Sequence, residues 1–166
     1  MDTAYAADHA GAMDEVAFVV ETLGTTRTEP RESILEIVIQ INGRSLRDLA
    51  RDVELPHAIA EGKPGLAGSY RGLSHWDIGS VEHFRGQPRA SWFDDGDTVL
   101  LGCDCGTWGC WPLCTQVSVG AETVSWSGFR QGHRDWDLSA LGPFEFARGQ
   151  YDRALDELAR ALPVPD

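Results

Sequence analysis

With 166 residues the chain is long enough for one domain around one hydrophobic core, and 14 basic against 26 acidic side chains give it a net charge of −12. The basic residues are scattered rather than gathered into a phosphate-neutralising stripe, so nucleic acid is not an expected partner. A membrane span is not expected either, since no apolar run approaches ~20 residues.

Residues 1–13 are small and polar and are expected to form a flexible N-terminus ahead of a single α+β domain over 14–166. Residues 16–23 read as a strand, apolar on both faces through Val16, Ala17, Phe18, Val19 and Val20. In 33–41 the alternation is sharper. Leu35, Ile37, Ile39 and Ile41 fall between Glu36, Val38 and Gln40, which predicts one buried face and an antiparallel hairpin with the first strand. Asn42-Gly43 ends that strand, and Ser45-Leu46-Arg47-Asp48 has the form of a capping box with Asp in place of Glu. Leu46, Leu49, Ala50 and Val53 then share a helical face, and Pro56 predicts where this short helix stops.

Periodicity fades over 56–87, where glycines alternate with Tyr70, His75, Trp76, His83 and Phe84. A bare loop of that length is unusual, so short strands or a folded recognition loop are expected. Tyr70, His75, Trp76 and His83 are the candidate binding surface. The plainer and preferred reading is that Tyr70, Trp76 and Phe84 fasten the segment to the core.

From residue 90 the pattern becomes regular. Residues 90–94 and 97–101 flank Asp95-Gly96, a strong signal for a two-residue hairpin, and the turn accounts for Asp94, Asp95 and Asp97 without invoking calcium. Residues 111–119 and 123–127 read as two more strands, completing a four-stranded antiparallel meander. The polar-aromatic stretch 129–137 is irregular, and 141–146 is a short extended piece. An amphipathic helix over 147–162 follows, with Tyr151, Leu155, Leu158, Ala159 and Leu162 as its stripe and Pro163 as its stop.

All four cysteines lie in one stretch: Cys103, Cys105, Cys110 and Cys114, packed among Gly102, Gly106, Gly109, Trp108 and Trp111. The N-terminus, Met1-Asp2-Thr3-Ala4-Tyr5, lacks the basic start and apolar centre of a secretory signal. A cytoplasmic location is therefore expected, with reduced cysteines. Residues two apart on a strand share a face, so Cys103 and Cys105 are expected to point the same way, with the glycines returning Cys110 towards them. Three thiolates at one point repel one another, and a Zn²⁺ ion, with sulfur at ~2.3 Å and four tetrahedral ligands, would relieve that. The fourth ligand is expected to be His133 or Cys114, with His75 and His83 as further histidines in reach. Cys114 falls on the strand side of Gln116 and Ser118 and lies further from the cluster. Buried free thiols and a redox disulfide are the alternatives to metal.

The pattern L-x-G-C-D-C-G-x-x-G-C-W-P-L, followed by W-S-x-F, H-R and L-G-P-F-x-F before a terminal helix, resembles a group of small bacterial proteins, many of them actinobacterial. The similarity covers about 100–158 and extends more weakly to 39–46. It implies Cys103, Cys105, Cys110 and His133 as the shared set, without Cys114, and brings no activity with it. Phosphate loops, nucleotide fingerprints and H-E-x-x-H are missing from the sequence. The expected function is thus an acidic cytosolic protein-binding module with a structural zinc, adaptor-like or antitoxin- or immunity-like, its charge suited to a basic partner. The alternative is a thiol- or zinc-dependent enzyme, a hydrolase or oxidoreductase, using Cys103, Cys105 and Cys110 with His133.

Overall fold

A computed structural model describes residues 13–25 and 33–163. The expected flexible N-terminus therefore lies, except for Met13, outside the described residues. The fold is α+β and is built on two antiparallel sheets. In the first, β1 (Val16–Thr25) pairs with β2 (Ser33–Ile41) in the register Val16 opposite Ile41, and β3 (Arg44–Ser45) adds to the other edge of β2. The alternation in β2 is realised physically, with Ile37, Ile39 and Ile41 buried. Asn42 and Gly43 both take positive φ, +54° and +84°, as a tight Asn-Gly turn requires.

Helix α1 (Leu46–Ala60) starts where Ser45 accepts the Asp48 N–H at 3.2 Å. It does not stop before Pro56 but runs one turn past it. Pro56 and Asp52 are both exposed, so the carbonyl that loses its helical donor faces water instead of the core. Glu54 is a buried carboxyl on the inner face of this helix. It accepts the Tyr70 hydroxyl and, at 2.9 Å, the Gly68 N–H.

The second sheet has five strands in the order β4 (Tyr70–Gly72), β5 (Thr98–Cys103), β6 (Leu113–Val119), β7 (Thr123–Gln131) and β8 (Phe144–Ala147). This corrects the four-stranded meander. Residues 90–94 are not a strand; β5 pairs on that side with β4, Tyr70 opposite Cys103. The cause is Asp97, whose buried carboxylate accepts the N–H groups of Trp92 and Phe93, each at 2.9 Å, and curls the segment into a loop. Strand β6 begins at Leu113 rather than Trp111, and β7 extends to Gln131, into the stretch expected to be irregular.

Helix α2 (His75–Ile78) follows β4 and is closed by a Ser74–Asp77 capping box. Helix α3 (Arg148–Ala161) buries Tyr151, Leu155 and Leu158, with Ala154 rather than Ala159 completing the stripe. The sheets are stitched together by the Ile37 N–H, which donates to Leu73 O at 2.9 Å. Residues from both sheets, α1 and α3 form one continuous core in which Phe18 meets Phe84 at 4.8 Å. No helix among the described residues is long and apolar enough to cross a membrane.

Candidate functional site

Strand β5 ends at Cys103, and the chain immediately turns. The Gly106 N–H donates to Cys103 O at 3.1 Å, and Gly106 sits at φ +99°, where a side chain would be strained. The loop then folds back over the strand it left. A Cβ at Gly102 would lie 2.5 Å from the Trp108 Cβ, so only glycine permits this approach. A single 3₁₀ turn, Trp108–Cys110, closes the loop, with the Cys110 N–H donating to Thr107 O at 3.0 Å.

The turn carries three of the four cysteines, Cys103, Cys105 and Cys110. Cys103 and Cys105 do not share a strand face, because the strand has ended; the turn wraps the backbone around the first sulfur instead. The Cys105 N–H lies 3.5 Å from the Cys103 Sγ, and the Thr107 N–H points at the Cys105 Sγ at 3.4 Å. The Cys105 thiol itself lies 3.8 Å from Thr107 O, and the Cys103 thiol 3.7 Å from the Asp104 carboxylate. These contacts divide the three chemically. The Thr107 N–H, then the Cys103 and Cys110 thiols, hold the Cys105 thiol below the usual cysteine range. Burial pushes the Cys103 thiol up, and the hydrogen bond to Cys105 does the same to Cys110. Cys105 and Cys110 are exposed, and all four cysteines are free thiols.

Among the candidates for a fourth ligand, His133 and His83 have other hydrogen-bond partners and Cys114 is buried. The His133 Nε2 is 2.9 Å from Gly109 O, and its ring stacks on Trp111 at 6.2 Å and tilts against Trp92 at 4.9 Å. It props the loop as part of an aromatic ladder that continues to Trp136. Cys114 is fully buried inside β6, where desolvation and then the Asp97 carboxylate push its thiol well up. His83 is buried too, its Nε2 2.7 Å from Val99 O and its Nδ1 accepting the Arg89 N–H at 3.2 Å. Burial lowers its pKa to about 4. Among the described residues no group of three or more His, Cys, Asp or Glu side chains is arranged to hold a metal ion.

Of the four residues expected as a binding surface, Tyr70 and His83 face the interior, and His75 is half-buried against Trp76 with its rings 4.5 Å apart. Trp76 alone is strongly exposed, at 67%. It stands at the edge of a cavity of about 250 Å³ where β4, α2 and the cysteine turn meet, and Arg71, Ser74, Asp77, Cys103 and Trp108 complete much of the wall. Sequence reading set Trp108 beside the cysteines but passed over Arg71 as part of this site. Only the register of β4 against β5, which sets Arg71 opposite Gly102, brings them together.

Compared with protein-family models, curated proteins and solved structures, the chain matches none.

Proposed function

We propose that the chain is a thiol-dependent oxidoreductase whose attacking group is Cys105 and whose resolving group is Cys110. The observation that carries this reading is an exposed Cys105 sulfur held under the Thr107 N–H, in a turn that also carries Cys103 and the exposed Cys110. A redox dithiol needs one sulfur that ionises readily and a second, within reach, that ionises less readily. The closed structural zinc competes poorly with this, because His133 and Cys114 are engaged elsewhere. A reducing compartment such as the cytoplasm suits the reading, since it keeps the three thiols available between turnovers.

In the exchange, the Cys105 thiolate attacks one sulfur of an external disulfide. The external S–S bond breaks, a mixed disulfide forms at Cys105, and one half leaves as thiolate. Cys110, losing its proton to solvent, then attacks the Cys105 sulfur and releases the second half. Two protein thiols are oxidised and one external disulfide is reduced to two thiols.

Incubation of the reduced protein with oxidised glutathione, followed by peptide mass spectrometry, tests this. Wild type is expected to accumulate the Cys105–Cys110 disulfide, Cys110→Ser to stop at the glutathione adduct on Cys105, and Cys105→Ser to form neither. Protein that instead carries one equivalent of zinc and stays inert would support the second reading, a zinc-fastened protein-binding module. That reading draws on the exposed Trp76 and Trp92 and on a net charge of −12 that suits a basic protein partner.

A further inference from the structure

The cavity beside the thiols has a chemistry of its own. At about 250 Å³ it falls below the range of roughly 300–1,000 Å³ usual for drug-sized ligands, so it suits a fragment such as one half of a small disulfide. Arg71 supplies its cation. The guanidinium packs over Gly106, with Nη2 2.8 Å from where a Cβ would stand, and it has no ion-pair partner among the described residues. The carboxylate on the same wall, Asp77, is turned inward to accept the Ser74 N–H at 2.9 Å. Two indoles, Trp108 in the loop and the exposed Trp76 on α2, offer flat apolar surfaces. Cys103 is part of the wall, and the Cys105 N–H lies 3.5 Å from its sulfur.

We propose that this cavity binds a low-molecular-weight disulfide carrying a carboxylate beside a flat or apolar portion, with Arg71 taking the carboxylate and the tryptophans the apolar part. The inference rests on the thiol reading above and names the substrate class for the same centre. A guanidinium presents a planar fork of donors that matches a carboxylate bidentately, and such a bond in a half-enclosed site outweighs one made in open water. The bound S–S bond then lies beside Cys103 and is met by Cys105, with the exchange balanced as already written. Net charge works against an anionic ligand over the whole molecule, so selectivity for one must come from the local cation.

Two aromatic disulfides separate the contributions: dithiobis-nitrobenzoate, which carries carboxylates, and neutral dithiodipyridine. Initial rates are measured with wild type, Arg71→Gln and Arg71→Lys, each checked by circular dichroism. Arg71→Gln is expected to slow the carboxylated reagent about tenfold, the lower end of what a charge-assisted hydrogen bond gives, and to leave the neutral reagent unchanged. Arg71→Lys should recover part of the loss. Equal slowing of both reagents, or of neither, overturns the carboxylate site while leaving the thiol reading intact. A fast phase with both reagents that survives Cys105→Ser overturns the thiol reading, and the inference falls with it.

Discussion

At His83 the fold fixes a protonation state. The Nε2–H donates to Val99 O, and Nδ1 has only a lone pair to offer the Arg89 N–H, so a second ring proton would break that bond inside the core. The folded pKa of about 4 lies below the ordinary 6.5. The sign follows: the unfolded chain takes the proton first, so the stability due to neutral His83 is complete above pH 6.5 and is lost as pH falls through 4. The loss amounts to about 3 kcal/mol. Urea unfolding between pH 7 and pH 4 should show this slope, and His83→Gln, less stable at neutral pH, should show a shallower one. An unchanged slope in the variant would contradict the assignment. Glu54 works in the opposite sense. Burial raises its pKa, so it favours the folded state at low pH and weakens that preference as it ionises.

On the scale of elements, the loop over 90–97 depends on a single carboxylate. Asp97 accepts two backbone N–H groups, and the Val99 N–H closes the base of the loop on Ala90 O at 3.0 Å. Asp97→Ala leaves both donors unpaired and is expected to cost about 3 kcal/mol in chemical denaturation. Asp97→Asn, keeping one acceptor oxygen, should cost about half as much; a loss under 0.5 kcal/mol for Asp97→Ala would mean that water replaces the carboxylate. This loop also marks where sequence reading stopped working. Asp95-Gly96 is a sound local turn signal, but the partner of β5 is β4, nearly thirty residues upstream, where Tyr70-Arg71-Gly72 carries no alternation to read. The β1–β2 hairpin and α3 were legible because their apolar patterning is strong and a distant packing partner is not needed to recognise it. Glu54 was invisible for the converse reason: a charged residue on an amphipathic helix reads as solvated unless the hydroxyl that donates to it is known.

In the whole molecule, two sheets and the cysteine turn meet at one corner, and the thiol centre, the cavity and the aromatic ladder all occupy it. The sharp reversal at Gly106 was legible from glycine and cysteine spacing, although a turn, and not a shared strand face, sets the Cys105 N–H against the Cys103 sulfur. The placement of His133 was not, because it depends on Trp92 and Trp111 arriving from separate segments to hold the ring. The loop is thus fastened by indole packing and by a Trp92 Nε1–H donated to Gly132 O at 3.0 Å, with the Cys105 and Cys110 side chains exposed. The most direct test is the pH dependence of iodoacetamide labelling at each cysteine in the presence of a chelator, resolved by peptide mass spectrometry. Cys105 is expected to label first, with its rate reaching half-maximum at a lower pH than at Cys103 and Cys110, and Cys114 only after unfolding. Labelling of all four at one rate, or of Cys105 after its neighbours, would contradict the account.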